Sequence, residues 1–172
     1  MAVERRVATQ THGRVLIEDA AGSFSGRLLV VFHGYKQNAD DALEAARSIP
    51  GVSATWRTVA VQALHRFYGS DQRIIASWMT RQDRDEAIED NVAYVDRVVR
   101  EEIDRLPAGS PHPPPIVFMG FSQGASMAYR AAVLGSHRSS GVIALAGDIP
   151  PELTIMPDGH PQRWPSVLIG VG

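Results

Sequence analysis

The sequence contains no cysteine, and this absence excludes several kinds of chemistry. There can be no disulfide bond, no thiolate metal site and no cysteine nucleophile. The absence of cysteine fits the cytoplasm and export equally well. The N-terminal residues 1–6 are not followed by the apolar segment that a signal peptide requires, so we expect a cytoplasmic protein.

Long apolar runs and an excess of charge are also missing. No apolar run reaches the length of about 18 residues that a transmembrane helix requires, so we expect no stable membrane insertion. The net charge of -2 gives no basis for a nucleic-acid partner. Lys36 is the only lysine, and the arginines are scattered among Asp and Glu, which indicates composition bias rather than a phosphate site. The length of 172 residues and the 44% hydrophobic content predict a single domain over residues 1–172.

Short apolar runs alternate with helical patterns along the chain. Buried or outer strands are predicted at residues 14–18, 27–32, 56–63, 116–119, 141–146 and 166–172. Helices are predicted from the N-cap Asn38 to Ser48, at 85–106 and at 125–134. This alternation predicts an α/β fold with a mainly parallel sheet and helices on both faces.

Two segments lack a clear period. Residues 64–80 carry His65, Phe67, Tyr68, Trp78 and Met79 and are predicted to form a long aromatic loop, and loops of this length are often functional. Residues 147–165 are predicted to be weakly structured.

The pentapeptide Gly120-Phe121-Ser122-Gln123-Gly124 stands between a predicted strand and a predicted helix. Strand, Gly-x-Ser-x-Gly and helix together predict a nucleophile elbow, in which the serine occupies a strained turn with an exposed hydroxyl. Side chains at Gly120 and Gly124 would clash with the neighbouring strand and helix. The first amide of the helix would face a developing oxyanion. The alternative is a tight turn in which Ser122 is merely a helix N-cap.

Four segments in this order resemble the phospholipase/carboxylesterase group of α/β-hydrolases, which includes the acyl-protein thioesterases. They are Phe32-His33-Gly34-Tyr35, Trp78 before a long helix, Gly120 to Ala125, and Ala144-Leu145-Ala146-Gly147. The resemblance covers roughly residues 27–172. It implies that Ser122 is the nucleophile and that the amides of Tyr35 and Gln123 form an oxyanion hole. It also implies that His33 and Gly34 shape the oxyanion loop and that Trp78 and Met79 lie beside an acyl pocket.

Alternatives remain for several of these residues. For His33 a structural role in the oxyanion loop is favoured over proton transfer, and Trp78 fits the core as well as a pocket wall. The resemblance implies a carboxylic ester or acyl-thioester substrate, and the sequence implies no metal and no cofactor. Some family members dimerise, so a homodimer stays open.

The base and the acid that would activate Ser122 are harder to assign. In α/β-hydrolases an acid and then a histidine follow the serine. His137 and the segment Asp158-Gly159-His160 are expected on the side where strands begin, so Ser122, Asp148 and His160 form only an in-chain alternative.

The resemblance instead implies that both groups follow residue 172. The chain would then be C-terminally incomplete, roughly the first two thirds of a hydrolase domain. A second hypothesis is therefore a non-catalytic binding or interaction protein with this fold.

Overall fold

A computed structural model describes residues 1–155 and 164–171. These described residues contain eight strands: β1 Val15–Glu18, β2 Leu28–Phe32, β3 Arg57–Val61, β4 His65–Tyr68, β5 Ile74–Ser77, β6 Ile116–Phe121, β7 Gly141–Leu145 and β8 Ser166–Gly170. Six of them form one sheet in the order β1-β3-β2-β6-β7-β8. Strand β1 is antiparallel to β3, and the other pairs of this sheet are parallel. The mainly parallel sheet predicted from the sequence is confirmed.

The helices of the described residues are α1 Ala39–Arg47, α2 Val52–Thr55, α3 Arg84–Asp104, α4 Gln123–Val133 and α5 Pro151–Thr154. Asn38 is the N-cap of α1, as predicted. Its side chain accepts hydrogen bonds from the N–H groups of Asp40 and Asp41, and the Asp41 carboxylate accepts one from the Asn38 N–H. This reciprocal capping box satisfies donors that the first turn of a helix leaves free.

Two apolar clusters cover the two faces of the sheet, and the residues of β2 alternate between them. Leu28, Val30 and Phe32 pack in the cluster that contains the apolar residues of α3 and α4. Leu29 and Val31 pack in the cluster that contains those of α1. A strand whose residues are all buried requires cover on both faces, so helices on both faces are confirmed.

The register of the parallel strands determines where the connecting loops meet. Phe32 at the end of β2 is opposite Gly120 of β6, and Phe121 of β6 is opposite Leu145 of β7. The chain therefore leaves β2, β6 and β7 at the same sheet edge. In open α/β sheets this carboxyl edge is where ligands bind.

The prediction of a loop at residues 64–80 was wrong, because β4 and β5 form an antiparallel hairpin there. Each strand has only four residues, too few for a period to stand out. Long-range hydrogen bonds hold the hairpin: the Lys36 N–H donates to the Ala76 carbonyl, and the Ala76 N–H donates to the Gln37 carbonyl. The hairpin is thus attached to the loop that follows β2.

Three other features differ from the predictions. Strand β6 continues to Phe121 and α4 begins at Gln123, so the turn between them is tighter than expected. The short helix α5 lies within the segment predicted to be weakly structured. Strand β8 was predicted to be buried, but Leu168 is 63% exposed, because β8 is an edge strand in the described sheet.

Candidate active site

Ser122 has a backbone conformation that residues with a side chain rarely adopt. Its φ is 53° and its ψ is -119°, at the junction of β6 and α4. Its N–H donates to the Leu145 carbonyl at 2.8 Å, which ties the turn to β7. Such strained residues persist only where the surrounding structure holds them, and they cluster at functional sites. The backbone therefore makes the sharp strand-to-helix turn that the sequence predicted.

Three glycines leave room for this turn. A Cβ on Gly120 would lie 2.0 Å from the Gly124 carbonyl oxygen, and one on Gly124 would lie 2.3 Å from the Phe32 carbonyl oxygen. The sequence analysis marked Gly147 only as the last residue of the segment Ala144-Leu145-Ala146-Gly147 and assigned it no role. In the structure, a Cβ there would lie 2.4 Å from the Ser122 carbonyl oxygen. Residues from three adjacent strand ends therefore pack against the turn.

The Ser122 side chain does not cap α4. Ser122 occupies the N-cap position, but its side chain makes no capping hydrogen bond. The interpretation of Ser122 as a capping serine therefore finds no support in the structure. Because the hydroxyl of the half-buried Ser122 does not cap the helix, it is available at the carboxyl edge of the sheet.

His33 is a structural residue of the loop that follows β2. It is buried, and the Ala63 N–H donates to its Nε2 at 3.1 Å. Because a backbone N–H can only donate, Nε2 is unprotonated and Nδ1 carries the proton, which it donates to the Gly34 carbonyl at 2.7 Å. Burial lowers the pKa of His33, although the hydrogen bond to Gly34 opposes the shift. With both nitrogens engaged, His33 is not placed to take a proton from Ser122.

The loop around Tyr35 is held by hydrogen bonds on both sides. The Gly34 N–H donates to the Gln37 side-chain oxygen at 2.7 Å, and the Gln37 N–H donates to the Gly34 carbonyl at 3.2 Å. The Lys36 N–H is engaged by Ala76, whereas the Tyr35 N–H is not among these donors. Gln37 was not identified from the sequence, where nothing distinguishes it from other polar loop residues.

Gln123 connects the strand-to-helix turn at Ser122 to the hairpin of β4 and β5. Because it is the first residue of α4, its N–H has no acceptor within the helix. Its side-chain oxygen accepts from the Trp78 N–H at 2.9 Å, and its amide nitrogen donates to the Ser77 hydroxyl at 3.2 Å. The side chain therefore fixes the start of α4 and leaves the backbone amide free to face a ligand.

Trp78 lies in the core beneath these loops. It is 0% exposed, and its ring nitrogen donates to the His33 carbonyl at 2.9 Å. Its ring also contacts those of Phe32 and His33. Of the two roles left open by the sequence, the structure places Trp78 in the core, and Met79 beside it is partly buried against the same cluster. Trp78 thus links the turn at Ser122, through Gln123, to the loop that follows β2.

The candidates for an acid and a base are not gathered at Ser122 in the described residues. The Nε2 of His137 lies 3.1 Å from the Asp96 carbonyl, after α4 and before β7. Asp148 is exposed in the segment that follows β7. Asp158 and His160 lie outside the described residues. Within residues 1–155 and 164–171, no group of three potential metal ligands occurs.

An apolar cavity of about 470 Å³ lies away from these residues. It is on the α1 side of the sheet, between Trp56, Val117, Ile143 and Val167. A cavity of about 50 Å³ lies at the carboxyl edge and is lined by residues that include His33, Gln37 and Phe121. The strained turn, rather than cavity size, therefore identifies the candidate site.

Comparison with known families places this geometry in context. Residues 25–165 match the family model described as Phospholipase/Carboxylesterase. The chain belongs to this family. The resemblance inferred from the sequence is confirmed. A comparison with curated proteins gave no match.

Solved structures similar to this member of the phospholipase/carboxylesterase family include esterases and a thioesterase. Acyl-protein thioesterase 2 from Zea mays has a TM-score of 0.62 and 16% identity, over 94% of this chain and 90% of that chain. Esterase PE8 has a TM-score of 0.65 and 21% identity, over 93% and 74%. A carboxylesterase from Mesorhizobium loti has a TM-score of 0.64 and 17% identity, over 93% and 84%. At these identities the likeness shows the shared α/β-hydrolase fold. No helix in the described part of the chain is long and apolar enough to cross a membrane.

Proposed function

We propose that this family member is a serine hydrolase that cleaves carboxylic ester or thioester bonds through an acyl-enzyme on Ser122. The observation that carries the proposal is the positive φ of Ser122, combined with a side chain that does not cap the helix behind it. The glycines at 120, 124 and 147 support the same turn. A turn held this way presents a hydroxyl for nucleophilic attack.

The reaction would proceed in two steps. The Ser122 oxygen attacks the acyl carbonyl, its proton passes to a base, and the alcohol or thiol leaves with a proton. Water then attacks the acyl-enzyme and releases the carboxylic acid and the free serine. The amides of Tyr35 and Gln123 would donate to the oxyanion in both steps, and the positive end of the α4 dipole would add to this stabilisation.

A hydrolysis assay tests the proposal. The protein expressed from its whole native reading frame is compared with Ser122→Ala on p-nitrophenyl acetate and on an acyl-thioester. Ser140→Ala is the matched control. Ser140 is exposed and directly precedes β7, so it lies at the amino end of this strand, whereas Ser122 lies at the carboxyl edge of the sheet. We expect Ser122→Ala to remove turnover and Ser140→Ala to leave it unchanged. Equal turnover in the two variants would refute the role of Ser122.

One observation favours a second candidate function, a non-catalytic binding or interaction protein. Both ring nitrogens of His33 are engaged by the backbone, and His137 lies against Asp96, so neither serves Ser122 as a base. The native reading frame discriminates between the two functions. An aspartate shortly after Gly172 and a histidine roughly thirty residues later would support the enzyme. Without such a pair, we expect turnover no higher than the Ser122→Ala background.

A further inference from the structure

Three helices are joined by one charged cluster beside the candidate site. Glu152 of α5 accepts a hydrogen bond from the Nε of Arg130 in α4 at 2.6 Å. Its other carboxylate oxygen accepts one from an Nη of Arg84, the first residue of α3, also at 2.6 Å. The two carboxylate oxygens are therefore used by two different helices.

The cluster anchors the segment that runs from Ala146 to Pro150. The segment follows β7, and its Gly147 packs directly against the Ser122 carbonyl. The Ser126 hydroxyl donates to the Asp148 carbonyl at 3.1 Å. Ser126 and Arg130 are one turn apart on α4 and face the same way. Helix α4 therefore contacts this segment at Asp148 and, through Arg130, holds Glu152, which lies two residues beyond its end.

The electrostatics of the cluster indicate a role in positioning. Arg130 is 3% exposed, and its Nη1 has no hydrogen-bond partner among the described residues. Burial alone would raise the pKa of Glu152, but the hydrogen bonds from Arg130 and Arg84 outweigh it and lower the pKa to about 2. Burying such a pair often stabilises no more than apolar residues of the same size would. What apolar residues cannot supply is the direction of the two short hydrogen bonds.

The outer side of the segment is available to a ligand. Ala146 and Asp148 are exposed, and Ile149 exposes 39% of its surface, whereas Pro150 and the following Leu153 are buried. Along the chain, exposed residues thus lie between Gly147, which packs against Ser122, and the buried Pro150. An apolar side chain held this way is suited to contact the acyl or alcohol part of an ester.

We propose that Glu152 is a positioning residue, which through Arg130 and Arg84 fixes residues 146–150 as one wall of the substrate cleft beside Ser122. This inference rests on the proposed function. Because the wall contacts substrate rather than the reacting atoms, loosening it changes the preference between small and bulky substrates. A general loss of stability would slow all substrates in equal proportion.

The test compares the rates at which a small and a long-chain fluorophosphonate modify Ser122. The protein from the whole reading frame is compared with the double variant Arg130→Met/Glu152→Leu, which removes both charges and retains similar side-chain volume. Arg84→Ala breaks only the link between Glu152 and α3. Because the Arg84 side chain is 40% exposed, losing its ion pair costs little stability, and the variant is expected to fold. Glu101→Gln, in an exposed ion pair of α3, is the control.

We expect the double variant to change the ratio of the two rates by about ten- to a hundred-fold, because small displacements of a positioning group have effects of this size. Arg84→Ala should change the ratio of the two rates in the same direction but by a smaller factor, and Glu101→Gln should leave the ratio unchanged. Amide exchange in residues 146–150 should accelerate in the double variant. An unchanged ratio in a labelled protein would overturn the positioning role alone, whereas a parent protein without any labelling at Ser122 would overturn the proposed function as well.

Discussion

Gly124 of α4 lies directly against the carbonyl group of Phe32, the last residue of β2. A Cβ at position 124 would be 2.3 Å from the Phe32 oxygen and 2.6 Å from that of His33. The start of α4 and the start of the loop that follows β2 are therefore in backbone contact. Any side chain at Gly124 would displace one relative to the other.

This contact predicts that Gly124→Ala is disruptive. Alanine is favoured over glycine inside a helix by about 1 kcal/mol. The clash with two backbone carbonyls should outweigh this gain and lower the free energy of unfolding by at least about 2 kcal/mol. Urea denaturation measures this change, and labelling of Ser122 by a fluorophosphonate should slow markedly.

Gly141→Ala is the matched control for this prediction. A Cβ at position 141 would meet its nearest atom, the Ser166 oxygen, at an ordinary 3.5 Å. Since alanine leaves the unfolded chain less conformational freedom than glycine does, and Gly141 has no positive φ, this variant should be as stable as the parent or slightly more stable. Similar stability losses in the two variants would contradict the close contact at Gly124.

His33 should stay neutral through the physiological pH range. Burial lowers its pKa below the usual value of about 6.5, so the unfolded chain binds the proton more readily than the folded one. The resulting stability is present above about pH 6.5 and is lost as the pH falls below it. NMR titration of the imidazole should find the Nδ1–H tautomer and a midpoint below 6.5. A midpoint at or above 6.5, or an Nε2–H tautomer, would contradict the assignment.

The side chain of Gln123 should matter for stability and its backbone amide for reactivity. Gln123→Ala leaves the Trp78 N–H without its acceptor, and an unpaired buried donor costs about 1–3 kcal/mol. The variant retains the backbone amide that we propose donates to the oxyanion, so we expect slower labelling of Ser122 rather than its loss. The exposed Gln82→Ala is the control, and neither measurement should change in it. Complete loss of labelling in a folded Gln123→Ala protein would show that the side chain itself is required.

A buried ion pair on the opposite side of the fold provides a stability test that is independent of the site. Two nitrogens of Arg57 donate to one oxygen of Glu102, whose side chain is only 7% exposed. Glu102→Gln should lower the free energy of unfolding by about 2 kcal/mol, because it leaves the largely buried Arg57 guanidinium with only the exposed Asp19 as a charge partner. The neighbouring Glu101 is exposed and pairs with Arg105. Glu101→Gln should therefore change the free energy of unfolding by less than about 1 kcal/mol. Equal losses of unfolding free energy for Glu102→Gln and Glu101→Gln in urea denaturation would contradict the role of burial at Glu102.

The sequence predicted the parts of the site that depend on local patterns. The apolar run of β2, the N-cap Asn38 and the turn around Ser122 all follow from neighbouring residues. The contributions of Gly147 and Gln37 depend on contacts between segments far apart in sequence, so no local pattern revealed them. The hairpin of β4 and β5 was not predicted for the same reason, because it is anchored through Ala76 to the loop after β2.

The most direct test of the proposed function is the site of covalent modification by a fluorophosphonate. The protein from the whole reading frame is labelled, digested and mapped by mass spectrometry, alongside Ser122→Ala and Ser140→Ala. We predict a single adduct on Ser122, its absence in Ser122→Ala and its full retention in Ser140→Ala. An adduct on another residue, or labelling that persists in Ser122→Ala, would contradict the assignment of Ser122 as the nucleophile.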